Sequence, residues 1–415
     1  MKKFNTTDIT DSNIKNNIYN GIAFSISINL VKPYLAKFAE RMGASDYHFA
    51  LLNSLPALLS VFAFLPGALL IEAARSKTKI TSKFLFAQKL VYLIIVAVPF
   101  VTKVYQPILF VLLIGLMNFP GSVAIMGYQS SIGDIFRPEH RGRAMSLRNR
   151  YSDCCRLIIT FISGQILTLV PKTPEDTIFL YQIFFVIAFI FGVIEIITLL
   201  KFRYDKKENE ELGKGEYFHN FVHTIKEIPK RKKYVSFLAC SLLFHFGWQM
   251  GWPLFSIYTI KHLGANESWI SVIAIASGAS SILTTTLWAK LADKIGNSLA
   301  LAIATLGMSI TPILYTFARS LTYLVVFNII VGISVAGTIL ILFNLLLEVT
   351  PDKNRTVYIA VYSIAINTSA AIAPLFSVWL KDMTSLYYAL IIVSIIRICG
   401  SCAFFVRNIR IKKVY

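Results

Sequence analysis

Charge is what this chain has little of, and acid least of all. Asp and Glu together number 22 against 41 Lys and Arg in 415 residues, and the four types make up only 15% of the chain. A soluble protein carries about a quarter of its residues as charges, so an ordinary water-facing surface is excluded. Cysteine is scarce too. The five present, Cys154, Cys155, Cys240, Cys399 and Cys402, have no zinc-site spacing. All fall inside apolar stretches, where they read as small buried apolar side chains. No G-x-x-x-x-G-K-S/T loop is present to cradle a nucleotide phosphate, and no H-E-x-x-H to hold a catalytic metal. The residues Met1 to Lys15 are polar and lack a signal-peptide core, so the first apolar stretch must itself direct insertion.

What is there instead is apolar: 55% hydrophobic residues and a mean hydropathy of +0.62. The apolar residues come in runs of roughly 20, the length a helix needs to cross the hydrocarbon core. Only helices and closed barrels satisfy their backbone in lipid, and runs this long are not barrel strands. The fold class is therefore an all-α polytopic membrane protein. The spacing predicts twelve spans, at roughly 16–38, 47–72, 81–103, 107–135, 143–170, 177–202, 234–261, 268–290, 297–317, 321–347, 356–380 and 385–408. The densely charged interval from Arg203 to Lys233 divides them six plus six. This gives a tail at 1–15, a six-helix bundle at 16–203, a central loop at 204–233 and a second bundle at 234–410. Within the loop, Tyr217-Phe-His-Asn-Phe-Val-His-Thr-Ile225 has the apolar spacing of a helix lying on the membrane surface.

The formal charge of +19 would suggest nucleic acid in a soluble chain. Here the basic residues sort by loop. Lys2, Lys3 and Lys15, Arg75 to Lys83, Arg137 to Arg150, the central interval, Lys290 and Lys294, Lys353 and Arg355, and the tail from Arg407 fall on one side. The other side has only scattered charges such as Lys103, Lys172, Arg319 and Lys381. By the positive-inside rule both termini and the central loop face the cytoplasm of a plasma (inner) membrane. The excess is topological, and no nucleic-acid partner is expected.

The two halves repeat. Met42-Gly-Ala-Ser45 precedes the second span and Leu263-Gly-Ala-Asn266 the eighth, with Gly43 and Gly264 221 apart. The same offset carries Ala68 and Glu72 onto Ala289 and Asp293. Asp134…Pro138…Arg141 matches Glu348…Pro351…Arg355, with acid and arginine both 214 apart. Parallel repeats of this kind place a cavity between two halves related by an axis along the membrane normal.

At these motifs the chain resembles the major facilitator superfamily. That family's loop between helices 2 and 3 typically reads G-x-L-x-D-R/K-x-G-R/K, often echoed between helices 8 and 9. Ala289-Lys-Leu-Ala-Asp-Lys-Ile-Gly-Asn297 resembles the echo, with Ala289 for the first glycine and Asn297 for the last basic residue. The first-half copy, Ala68-Leu-Leu-Ile-Glu-Ala-Ala-Arg75, is eroded: Glu72 stands for the aspartate and Arg75 falls where the second glycine would be. Asp134-Ile-Phe-Arg-Pro-Glu-His-Arg-Gly-Arg143 is similar to the family's loop between helices 4 and 5. The fifth span, Cys155-Arg-Leu-Ile-Ile-Thr-Phe-Ile-Ser-Gly-Gln165, lacks the glycine-proline motif of the family's drug–proton antiporters.

The resemblance implies two pseudo-symmetric six-helix bundles that alternate access to a central site. It also implies a gate in the charged loops. The partial positive charge of a helix N-terminus attracts carboxylates, so Asp293, flanked by Lys294 and Gly296, is expected at the start of the fifth helix near Arg143. Glu72 is expected at the start of the eleventh. The competing reading is a solvated turn that only fixes topology. Arg141 and Arg355 are expected to brace Asp134 and Glu348 within each half.

Ionisable groups at depth are costly, which makes each a functional candidate. Asp153 and Arg156 share a face of the fifth helix at i,i+3 spacing; either they form an internal ion pair, or Asp153 carries a coupling proton. Asp153 plus 214 is Asn367, so the repeat keeps a polar residue there. Glu195 and Lys89 sit one to two turns inside the same boundary, either paired or with Lys89 snorkelling. Arg397 has no evident partner. Family helices 1, 4, 7 and 10 line the cavity, which the resemblance extends to Asn29, Asn118, Tyr128, Gln129 and Asn344. The seventh span adds His245, Trp248, Gln249 and Trp252 in one stripe. That stripe suits a neutral or amphipathic organic solute, or else packs between helices; His245 is a further proton carrier to weigh.

The expectation is thus a monomeric secondary transporter of a small organic solute, with the bilayer and a coupling proton as its other partners and no cofactor. The alternatives are a proton-coupled multidrug or lipid exporter and a transport-inactive receptor or scaffold of the same fold. An intramembrane enzyme would need a nucleophile–base pair or metal ligands at depth, and neither is evident.

Overall fold

The structure is a computed structural model and describes residues 9–72, 74–203, 225–351 and 355–414. Twelve long helices occupy them, and no strand is found among the described residues. They are α1 (Ile9–Asn29), α2 (Asp46–Glu72), α3 (Lys77–Val96), α4 (Gln106–Ile135, interrupted at Met117), α5 (Pro138–Leu169) and α6 (Pro174–Leu200). Then come α7 (Lys232–Ser256), α8 (Glu267–Ile295), α9 (Asn297–Phe317), α10 (Leu321–Val349), α11 (Arg355–Met383) and α12 (Leu386–Val414). Ten are long and apolar enough to cross a membrane; α1 and α7, counterparts in the repeat, are too polar to count by composition alone.

Local chemistry sets the breaks. Pro107, Pro138 and Pro174 stand at the first or second position of their helices, where the missing N–H has no partner to lose. Thr173 and Asp176 close a capping box at the start of α6. The predicted first span, 16–38, is in fact two pieces. Pro33 ends the helical run: α1 stops at Asn29, and a 3-10 turn at Lys32–Tyr34 leads into a short helix, Leu35–Arg41. The paired glycines of the repeat share one backbone state, with φ of 86° at Gly43 and 67° at Gly264. Only glycine visits that region without a steric penalty.

The chain divides into two compact units, Met1–Ala44 with Leu59–Lys214, and Ser45–Leu58 with Gly215–Tyr415. Each has its own core. Ile14, Ile18, Ile132, Phe136 and Leu199 belong to the first; Tyr234, Phe237, Phe244, Leu345 and Phe404 to the second. Helix neighbours repeat between the units: α1 packs on α5 and α6 as α7 does on α11 and α12, and α3 packs on α4 and α6 as α9 does on α10 and α12. Large apolar side chains such as Phe62, Leu283 and Leu287 are exposed, as lipid-facing positions should be.

Two expectations change here. Cys154, Cys399 and Cys402 are exposed and Cys155 and Cys240 half-buried, rather than buried. All five are free thiols, and a thiol is as compatible with hydrocarbon as with a protein core. The surface helix expected at Tyr217–Ile225 lies, apart from Ile225, outside the described residues.

Candidate functional site

In the first unit the polarity of α1 is structural as well as local. Asn13, Asn17 and Asn20 recur at i, i+4 and i+7 on one buried face. Asn13 exchanges two bonds with the Arg203 backbone, at 2.8 and 3.0 Å. Asn17 donates to the Ala144 carbonyl at 3.2 Å, and Asn20 to the Glu195 carbonyl at 2.9 Å. The Tyr128 hydroxyl donates to Asn17 Oδ1 at 2.6 Å. The Arg148 guanidinium lies 4.6 Å from the Tyr128 ring centroid and 3.5 Å from Asn20 Oδ1, within cation–π range. Asn17, Asn20 and Arg148 are not among the expected cavity residues, although the asparagine periodicity announces one polar face. Tyr128 is among them, and it joins this network. Asn29 and Asn118 instead donate back to their own helices, to Ser25 and Ile114, each at 2.8 Å. Gln129 is exposed.

Both ion pairs weighed from the sequence form in this unit. Lys89 Nζ sits 2.9 Å from Glu195 Oε2, with side chains 1% and 6% exposed. Ser27 accepts a further bond from Lys89 at 3.1 Å and donates to the Ala188 carbonyl. Gly192 makes the room: a Cβ there would stand 2.6 Å from Lys89 Cγ. Lys89 therefore pairs at depth rather than snorkelling. Asp153 and Arg156 also pair, at 3.3 Å, but with both side chains more than a third exposed. The second pair is open to its surroundings; the first is sealed.

In the second unit the α7 stripe divides in two. Gln249 is buried and bridges to α11, donating to the Ile366 carbonyl at 3.1 Å and accepting from Ser369 at 2.6 Å. His245 is buried, with Nδ1 2.8 Å from the Ser241 carbonyl. A carbonyl there requires Nδ1 to carry a proton. Trp248 and Trp252 are only half-buried, so two flat rings of the stripe keep open surface. Asn367, like Asn29 and Asn118, bonds back to its own helix, at 2.8 Å to Ser363.

Arg397 on α12 finds its partners in backbone. It is 1% exposed and donates to the carbonyls of Gly247, Trp248 and Met308 and to Thr311 Oγ1, all at 2.9–3.1 Å. Pro312 lies inside α9. Its missing N–H frees the carbonyl four residues earlier, which is that of Met308. A Cβ on Gly247 would reach 3.0 Å from Arg397 Cγ, so the small residues of α7 admit the guanidinium. No sequence pattern signals a partner of this kind.

The charged loops hold each unit together differently from expectation. Asp134 is engaged by Lys77, at 3.0 Å, while Arg141 donates to the carbonyls of Phe136 and Gly133. Arg141 thus caps the end of α4, and the lysine opening α3 takes the carboxylate. The repeat keeps this arrangement: Asn297, opening α9, donates to Glu348 at 3.0 Å. Gly296 (φ 85°, ψ 150°) makes the turn between α8 and α9 in a region almost reserved for glycine. Asp293, Lys294 and Arg75 are exposed or partly so, and Arg355 is half-buried at the start of α11. Arg143 has Asp11 3.8 Å away. The Glu72 side chain lies outside the described residues.

A family model described as Major Facilitator Superfamily matches the chain twice, over residues 18–239 and 237–413. The fold is similar to the crystal structure of a point mutant of the nucleoside transporter NupG, with a TM-score of 0.71 and 10% identity, covering 94% of this chain and 99% of that one. It is also similar to a bacterial homolog of the human lysosomal transporter Spinster, in an inward-facing and unoccupied conformation, with a TM-score of 0.69, 12% identity and coverage of 97% and 98%. At such identities the likeness is one of fold. No curated protein sequence matches the chain.

Proposed function

This chain belongs to the major facilitator superfamily of membrane transporters, and on that premise we propose that it is a proton-coupled secondary transporter of a small, neutral or amphipathic organic solute. The observation that carries the reading is the double match of the family model, over residues 18–239 and 237–413. The solute class rests on Trp248 and Trp252. Half-buried rings at one-turn spacing offer flat apolar faces to a sugar, nucleoside or aromatic ring. Asp153 is the coupling carboxylate of choice, because its pair with Arg156 stays open whereas Glu195 is sealed against Lys89. Asp293 and Glu72 act as gate carboxylates, and both termini face the cytoplasm.

The test is uptake into proteoliposomes under an imposed pH gradient, with a panel of sugars, nucleosides, peptides and drugs. One class should accumulate with proton movement. Asp153→Asn should abolish accumulation while leaving downhill exchange. Trp248→Ala should raise the apparent KM by about ten-fold, the worth of one good stacking contact. Flux that ignores the gradient would sink the coupling assignment. No flux for any solute in vesicles holding folded protein would favour a transport-inactive receptor, which the eroded first-half loop at Glu72 keeps in view.

A further inference from the structure

A cavity of about 480 Å³ opens between the first half of α1 and the last half of α6, on the surface of the first unit. Its lining is sorted along the helices. Lys15, Asn16 and Lys201 stand at one end; Ile22, Phe191 and Ile194 form the other. At the helical rise, Ile22 lies about 10 Å deeper than Lys15, and Phe191 about 15 Å deeper than Lys201. Among the described residues no acid lines the cavity. Lys15 and Lys201 are both exposed, and among the described residues neither holds a carboxylate. Two uncompensated cations above an apolar floor match the layering of a lipid, phosphate above and acyl chain below.

We propose that this groove is a binding site for an anionic phospholipid, drawn from the leaflet that borders the basic loops. The phosphate sits between Lys15 and Lys201, and one acyl chain lies over Ile22 and Phe191. A zwitterionic headgroup carries an ammonium beside its phosphate and so brings no net negative charge to the two lysines. The groove therefore selects for net negative charge, and the basic loops on that side enrich anionic lipid beside it.

The test is native mass spectrometry of the full-length protein released from nanodiscs of mixed phosphatidylglycerol and phosphatidylethanolamine. One phosphatidylglycerol should stay bound. The Lys15→Gln/Lys201→Gln variant should weaken its retention roughly thirty-fold, the effect of removing two surface cations. Ile22→Trp, which fills the floor and leaves the charges, should also release the lipid. Thermal unfolding of each variant, unchanged from wild type, separates lost binding from lost fold. Three results overturn the proposal: undiminished phosphatidylglycerol on the lysine variant, equal retention of both lipids by wild type, and displacement of the lipid by millimolar inorganic phosphate, which would make the groove a free-anion site.

Discussion

Each unit buries a cation where its first, third and sixth helices meet, and the two solve the same problem with different chemistry. In the first, Lys89 meets a carboxylate, Glu195, at 2.9 Å, with Ser27 as its second acceptor. In the second, Arg397 has three carbonyls and a threonine hydroxyl, and among the described residues no acid. The side chains suit these settings. An ammonium is a compact point charge that needs a counter-ion once out of water; a guanidinium spreads its charge over five donors and is satisfied by an array of neutral dipoles. The array is built from Pro312, which frees the Met308 carbonyl, and Gly247, which admits the side chain. A counter-ion can be removed by one mutation. A set of backbone carbonyls cannot.

The largest expected effect follows from that asymmetry. Lys89→Met leaves Glu195 as an uncompensated buried carboxylate and should destabilise the protein by about 3–5 kcal/mol. Lys89→Met/Glu195→Leu removes both charges and should recover most of that loss, since a buried pair replaced by apolar groups is often near neutral. Denaturant unfolding in detergent measures both. If the double variant were as unstable as the single, the pair would be contributing through its hydrogen bonds to Ser27 rather than by mutual compensation.

The two cations also differ in how far the sequence reveals them. Lys89 and Glu195 are visible because each is a charge at depth, and the repeat with its family resemblance puts helices 3 and 6 side by side. Opposite signs at one depth on neighbouring helices suffice. Arg397 is equally visible as a charge, but its partners are carbonyls that every residue possesses. Which of them point at it depends on a kink and two crossing helices, which no side-chain pattern encodes. The same limit explains the loops. Asp134 and Glu348 are legible as matched acids, while the choice of Lys77 over Arg141 turns on which side chain the local turn aims at the carboxylate. The asparagine ladder of α1 is legible in its periodicity, yet each amide taken singly looks ordinary in a span, so the ladder stands out only as a set. Fold, repeat and family motifs are patterns in chain order, which is why they can be read; Asn29, Asn118 and Asn367, expected at the cavity, bond their own helices, which depends on rotamers.

A smaller effect is expected at Arg397. Its acceptors in α7 keep their helical bonds, and Met308 O also accepts from Thr311 at 2.8 Å. Arg397→Met should therefore cost about 1–3 kcal/mol, less than Lys89→Met. Pro312→Ala supplies the missing N–H at residue 312. In the Arg397→Met background it should return about 1 kcal/mol, and in the wild-type background less, because there Arg397 as well as Thr311 donates to the carbonyl. A double-mutant cycle reads the difference. Equal effects in both backgrounds would mean that Arg397 holds the helices together by some contact other than the freed carbonyl.

The smallest effect tests whether the paired loops are equivalent in energy as well as in place. Lys77–Asp134 is an ion pair between two formal charges; Asn297–Glu348 sets an amide dipole against one. Both are partly exposed, so Lys77→Gln and Asn297→Ala should each cost only about 0.2–1 kcal/mol at low salt. Salt separates them. At 1 M ionic strength the Debye length falls to about 3 Å, and attraction between the partly exposed charges is weakened. The penalty for Lys77→Gln should then shrink, while that for Asn297→Ala, a short-range hydrogen bond, should persist. If neither penalty shrank, Lys77 would be acting as a hydrogen-bond donor rather than a charge. The second unit's neutral asparagine would then be a full substitute for the lysine, and the loss of a basic residue at that position of the repeat would carry no energetic consequence.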